Sequence, residues 1–143
     1  MTTMPKAAEI ERKLYVIDAA GKPLGKTAVA AADLLRGKLK TNFVPHLDCG
    51  DNVIIINAAQ ATLSGKKPVQ KFYYRYTGWI GHLKAVNYKT LMAEKPELAM
   101  ELAVKRMIPD TTIGRKAFTR LHVYRGAEHP HAAQKPETYE FTL

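Results

Sequence analysis

The sequence predicts an α/β fold, and three observations predict it. The run Val53-Ile54-Ile55-Ile56 is continuously β-branched rather than alternating, the pattern of a strand covered on both faces. Leu14-Tyr15-Val16-Ile17-Asp18 reads as an earlier buried strand. Between the two, Leu24, Ala28, Ala31 and Leu35 recur at helical spacing. Strand, helix and strand in this order favour a right-handed crossover. The 143 residues fit one domain, with residues 1–13 an N-terminal arm and 126–143 a C-terminal tail. A 46% hydrophobic and 24% charged composition is ordinary for a globular chain.

The elements follow in order. The polar arm lacks periodicity and is expected to be extended. After the first strand, Gly21-Lys22-Pro23 makes a turn, and a helix over 25–36 ends with Gly37 placed for a left-handed cap. Pro45-His46-Leu47-Asp48-Cys49-Gly50-Asp51 is a loop leading into the strand over 52–57. Asp48 and Asp51 beside Gly50 read as turn residues binding their own backbone. Ala61-Thr62-Leu63 reads as a short strand, Ser64-Gly65-Lys66-Lys67-Pro68 as a basic turn, and residues 71–76 as a third main strand. Gly78-Trp79-Ile80-Gly81-His82 looks like an irregular loop. A helix is expected over 88–93 and another from Pro96, with Glu97 complementing its positive end. Leu98, Ala99, Leu102 and Ala103 give that second helix its apolar face, and Pro109 closes it. Asp110-Thr111-Thr112 offers an N-cap for a short helix with Ile113, Ala117 and Leu121 inward, leaving Lys116 and Arg120 outside. His122-Val123-Tyr124 reads as the last strand, and the tail beyond Gly126 has little to form a core.

Charge is the informative feature. Formal net charge is +9 and the pI is near 9.7, which points to a polyanionic partner. Residues 52–93 contain no Asp or Glu, yet carry Lys66, Lys67, Lys71, Arg75, Lys84 and Lys89 among Phe72, Tyr73, Tyr74, Tyr76, Trp79 and Tyr88. A carboxylate there would repel phosphates, whereas each cation that neutralises one releases a counterion. Rings between the cations can stack on bases. Part of the stretch has a plainer cause: residues 53–57 are core strand, and Phe72 with part of Tyr73-Tyr74 is expected to pack inward. The electrostatic argument therefore rests on loops 64–71 and 75–84, with Tyr76 and Trp79 as the stacking rings.

The candidate RNA-binding residues are Lys38 and Lys40, Lys66, Lys67 and Lys71, then Arg75, Tyr76, Trp79 and Lys84. Arg115, Lys116 and Arg120, with Arg125, His129 and His131, complete the set. Each cluster alone could be a solvated surface; together with the acid-free stretch they make nucleic acid the leading partner class. No zinc finger, KH loop or RRM signature supports sequence-specific reading.

Competing chemistries fit less well. A P-loop needs Gly where Gln60 stands and Ser or Thr where Lys67 stands. His46 with Cys49 and His129 with His131 have metal-like spacing, but a single cysteine is a poor start for structural zinc. No metal or cofactor is expected. Cys49 reads as a small buried hydrophobe and permits no intrachain disulfide, as in a reducing cytosol. The alternative function is a small α/β enzyme acting on RNA or nucleotides through Cys49 and His46, which needs a geometry that spacing does not supply. No apolar run approaches the ~20 residues of a membrane span, and no hydrophobic signal core follows the N-terminus.

Several segments resemble the bacterial large-subunit ribosomal protein thirteen family. They are Tyr15-Val16-Ile17-Asp18-Ala19 with Leu24-Gly25, Pro45-His46-Leu47-Asp48-Cys49-Gly50-Asp51, Tyr74-Arg75-Tyr76-Thr77-Gly78, Met107-Ile108-Pro109, and Val123-Tyr124-Arg125-Gly126-Ala127-Glu128-His129-Pro130-His131. The resemblance runs in order through nearly the whole chain after about residue 13. It implies a compact three-layer α/β/α domain around a mostly parallel sheet. It also implies a non-catalytic structural role in the cytoplasmic ribosome: binding large-subunit ribosomal RNA early in assembly, beside neighbouring ribosomal proteins. Messenger-RNA binding is an implied secondary role. The family's RNA-facing segments fall on Lys66-Lys67, residues 75–84, Gly114-Arg115-Lys116 and residues 125–131. Leu14, Lys26, Tyr76, His82, Arg106 and Asp110 depart from the family pattern. Lys26 loses a bidentate fork, and a left-handed backbone at Arg106 would cost about 1 kcal/mol.

Overall fold

The computed structural model describes residues 3–142, so Met1, Thr2 and Leu143 of the arm and tail lie outside it. β1 (Leu14–Asp18), α1 (Leu24–Arg36) and β2 (Asn52–Ile56) form the expected unit. β1 and β2 are parallel, in register from Leu14 opposite Asn52 to Asp18 opposite Ile56. There follow α2 (Lys67–Gln70), β3 (Phe72–Tyr76), β4 (Leu83–Asn87), α3 (Tyr88–Glu94) and α4 (Pro96–Met107). α5 (Thr112–Phe118), β5 (Leu121–Val123) and β6 (Glu137–Thr138) complete the chain. The central sheet has the order β5-β2-β1-β6, every pairing parallel, and β3 with β4 makes a separate antiparallel hairpin. The α/β class and the mostly parallel sheet are as the sequence predicts. None of the helices among the described residues is long and apolar enough to cross a membrane.

Alternation along the strands decides where the core sits. Ile17, Val53 and Ile55 join one buried cluster with Leu24, Ala28, Ala31 and Leu35 of α1, Leu91 of α3, Ala99, Met100 and Val104 of α4, and Ala117 of α5. Alanines dominate where α1 meets α4, which lets the two helices approach closely. The opposite row is Val16, Ile54 and His122, aligned across β1, β2 and β5. His131 lies over that row, its ring 4.9 Å from that of His122.

Several local expectations are corrected. Residues 61–63 are not a strand; Thr62 makes only an isolated bridge to Pro23. The basic turn closes into α2, with Pro68 in its first turn. β4 was not expected, and it turns the loop after β3 into the end of a hairpin. Phe72 and Tyr74 point outward and are exposed, because Tyr73 takes the inward side of the alternation. β5 begins one residue earlier than expected and is not the last strand. The tail adds β6 to β1, and Tyr139 and Phe141 pack against the core. Tyr139 meets Tyr15 edge-on at 5.9 Å, and Lys22 Nζ lies 4.8 Å from the Phe141 ring centre. Arg106 sits inside α4 with no left-handed backbone, so no strain arises there.

The loop before β2 is the polar hub of the fold. Asp48 and Asp51 bind distant partners rather than their own turn. Arg120 donates from Nη1 and Nη2 to the two Asp48 oxygens at 2.5 and 2.8 Å, and from Nη2 to the Leu35 carbonyl at 2.8 Å. Arg12 donates to the carbonyls of Gly50 and Asp48 at 2.5 and 2.9 Å. The buried Asp51 accepts from Lys13 N–H at 3.0 Å and pairs with Lys40 at 3.0 Å. The arm is thus pinned rather than free, and it carries a short 3-10 turn at Ala7–Glu9. Two glycines make this docking feasible. A Cβ on Gly50 would stand 1.5 Å from the Leu35 carbonyl oxygen, and one on Gly37 2.6 Å from that of Cys49. Gly37 also supplies the left-handed cap of α1, at φ +78°.

Candidate nucleic-acid interface

The hairpin pairs an aromatic strand, Phe-Tyr-Tyr-Arg-Tyr, with the mixed strand Leu-Lys-Ala-Val-Asn, and each carries one cation. Its register sets Phe72 opposite Asn87, Tyr74 opposite Ala85 and Tyr76 opposite Leu83 on one face. The other face carries Tyr73 opposite Val86 and Arg75 opposite Lys84. Tyr73 and Val86 are partly buried against the core, while Arg75 and Lys84 stand clear of it. At the tip Gly78 and Gly81 adopt positive φ, and Trp79 and Ile80 are 75% and 95% exposed. An apolar ring left this open on a short loop is a candidate contact.

At the base of the hairpin, Lys66, Lys67 and Lys71 are all exposed. Gly65 holds φ +61°, and a Cβ built there would meet nothing within 4 Å, so its backbone is open to a ligand. Lys71 Nζ sits 4.8 Å from the Tyr88 ring centre, a cation–π contact that fixes the stem of the side chain.

On the far side of the helices, Thr111 caps α5 through the Gly114 N–H at 3.2 Å. This presents Arg115 and Lys116 to solvent; Arg115 pairs with the exposed Asp110 at 3.4 Å and donates from Nη2 to the Thr112 hydroxyl at 3.5 Å. Two clefts connect this cluster to the hairpin base. One, of about 830 Å³, has Leu102, Ile108 and Phe118 in its lining and Lys105, Arg106 and Arg115 among its polar groups. The other, of about 200 Å³, is lined in part by Ser64, Lys67, Lys71 and Arg106. Arg106 therefore bridges two clusters that are separate in the sequence. Lys105 and Arg106 are absent from the sequence-based candidates, although two adjacent cations ending a helix before Pro109 were a usable signal.

The remaining candidates divide. Lys38 is exposed and loosely paired with Asp33 at 4.0 Å. Lys40 has internal partners: its ammonium is held by Asp51 and by the Glu11 carbonyl at 2.7 Å. Arg120 does not stand outside as expected: its side chain is only 12% exposed and its donors are turned inward to Asp48, Leu35 and Asp51. Arg125 donates to the Ala93 and Glu94 carbonyls and pairs with Glu97, at the opposite end of α4 from Arg106. His131 Nε2 lies 2.7 Å from the Tyr124 hydroxyl, and its Nδ1 lies 3.0 Å from Gln134 Oε1. Its neighbour His129 accepts the His131 N–H through Nδ1 at 3.3 Å. These tail residues thus have internal partners. The His122 pKa is held below its ordinary value of 6.5, first by partial burial of the ring and then by His131.

Catalysis finds no support in the arrangement. Cys49 is buried, with its Sγ 3.8 Å from the Val44 carbonyl oxygen, while His46 is exposed. No cluster of His, Cys, Asp or Glu among the described residues could hold a metal ion.

Fold and charge together define the class: a basic α/β protein with a cationic, aromatic-rich face joined across a hairpin and two helices. The family model for Ribosomal protein L13 matches residues 12–130, and the chain belongs to that family. It is 55% identical over 139 residues to a protein of Natranaerobius thermophilus, covering 97% of each chain. It is 57% identical over 140 residues to one of Carboxydothermus hydrogenoformans, covering 98% of each. It is also 57% identical over 139 residues to one of Moorella thermoacetica, covering 97% of this chain and 96% of that one. All three are named large ribosomal subunit protein uL13.

Proposed function

We propose that this chain is a non-catalytic structural constituent of the large ribosomal subunit in the cytoplasm. It binds ribosomal RNA beside neighbouring ribosomal proteins and supports early subunit assembly. One observation carries the reading beyond family membership: the cations of the hairpin, its basal turn and α5 are solvent-exposed, and those of the basal turn and α5 line adjoining clefts that share Arg106. Residues 52–93 supply no acid to that surface, and Asp110 is the one acid lining the two clefts, so the surface is strongly cationic, as a phosphate-facing surface requires. The proposed contacts are Lys66, Lys67, Lys71, Arg75, Lys84, Lys105, Arg106, Arg115 and Lys116, with Tyr76 and Trp79 as stacking rings. Lys38, Arg125, His129 and His131 are outlying contacts.

Filter binding of the chain to transcribed large-subunit ribosomal RNA tests this. Affinity should fall steeply with salt, and replacing Lys66, Lys67 and Arg115 by Ala should reduce the logarithmic slope by about 3. A salt-independent affinity would overturn the proposal. We propose messenger RNA as a further ligand of the same surface, because phosphate contacts alone do not distinguish RNA sources. Competition between the two RNAs in the same assay measures it.

A further inference from the structure

Three cross-strand pairs line one face of the hairpin, and only two of them are matched. At the base, Tyr88 N–H donates to the Lys71 carbonyl at 3.0 Å, and Lys71 rests its ammonium on the Tyr88 ring. Next, Tyr73 meets Val86, an apolar pair against the core. Outermost, Arg75 stands directly opposite Lys84. Antiparallel ladders alternate, so the bond at Lys71 and Tyr88 makes Arg75 and Lys84 a hydrogen-bonded pair, with Cα atoms about 5.5 Å apart. Like charges so placed repel and destabilise the pair. Among the described residues neither side chain makes a hydrogen bond or an ion pair. A carboxylate on a neighbouring strand position would relieve the repulsion, yet residues 52–93 contain none.

We infer that Arg75 and Lys84 together form the seat for a single RNA phosphate. The proposal rests on the RNA-binding reading above and assigns one site within it. An anion between the two groups accepts the guanidinium fork from one strand and an ammonium from the other, tying the strands together. The seat therefore works in both directions. Phosphate turns the mismatched pair into a cross-link, and without phosphate the outer hairpin is the least stable part of a two-stranded element, itself marginal alone. The site is a coupling between hairpin order and RNA contact, which separate surface lysines would not produce.

Two measurements test it. In the first, salt slopes for ribosomal RNA binding are compared among Arg75→Ala, Lys84→Ala and the double variant. A shared phosphate stays neutralised while either cation remains, so the slope falls by well under 1 in each single variant and by about 1 in the double, whereas two separate phosphates give about 1 in each and about 2 in the double. In the second, Lys84→Glu creates an attractive pair with Arg75, and hydrogen exchange is followed in the free protein. Amides of residues 72–76 and 83–87 should exchange several-fold more slowly than in the unaltered chain, while RNA affinity drops at least 10-fold. The pattern of two separate phosphates, or exchange that is unchanged or faster in Lys84→Glu, would overturn the seat. Unchanged RNA affinity in both Ala variants with impaired incorporation into particles would assign the pair to a protein carboxylate and overturn it as well. If the unaltered chain shows no salt dependence, the wider RNA reading fails; a steep wild-type slope untouched by the variants sinks only the seat.

Discussion

At position 120 one guanidinium reaches an acid at position 48 and main-chain carbonyls at 35 and 51. Removing it would leave Asp48 partly buried without its strongest partner. Arg120→Ala should therefore destabilise the free protein by about 3–5 kcal/mol, seen as a lower midpoint in denaturant. Lys116→Ala, one turn away and exposed, should leave that midpoint within about 0.5 kcal/mol and lower the RNA salt slope by about 1. Gly50→Ala should be at least as damaging as losing Arg120, since its Cβ would overlap the Leu35 carbonyl and crowd the Arg120 guanidinium. The two basic residues look alike in sequence, each a cation near a helix. Arg120 could not be told apart because its acid partner is 72 positions away. Gly37 was legible, because a cap needs only its own helix; Gly50 was not, because it answers to the backbone of another element.

Elements were legible in proportion to their own periodicity. β1, α1, β2 and α4 carry apolar patterns dense enough to declare themselves. β4 reads Leu-Lys-Ala-Val-Asn, with few strand formers, and it is a strand because β3 pairs with it. β6 is two residues long, too short for any pattern, and exists through its ladder to β1. At the end of α4, Arg106→Ala should reduce RNA affinity and lower the salt slope by about 1 while leaving α4 helical by circular dichroism. Docking of the tail should respond to pH through His122. Its folded pKa lies below the ordinary 6.5, so the unfolded chain takes up a proton first. The neutral ring's contribution is complete above pH 6.5 and is lost as pH falls below it toward the depressed value. His122→Phe keeps a ring against His131 without titrating, and should flatten that part of the stability-against-pH curve relative to the unaltered chain.

Across the whole molecule, sequence reading found the charged surface but not its continuity. A loop with lysines and no acids is visible as text. That α4 brings Arg106 between residues 67 and 115 depends on packing in the core, where Ala99, Met100 and Val104 fix the helix. The footprint is also uneven. The tail's Arg125, His129 and His131 hold internal partners, so the same Ala substitution should cost less RNA affinity there than at Lys67 or Arg115. Affinities of the single variants, measured at one salt concentration, order the two groups.

The pairing of Tyr15 with Glu137 has a consequence for how the chain is made. β1 is among the first segments synthesised, but its second neighbour in the sheet arrives nearly a chain length later. Until then one edge of β1 shows unpaired amides and carbonyls, open to any other extended strand. The tail thus acts as a closing stitch: a nascent chain can assemble β1, α1 and β2 early, yet it remains adhesive until its last strand is in place.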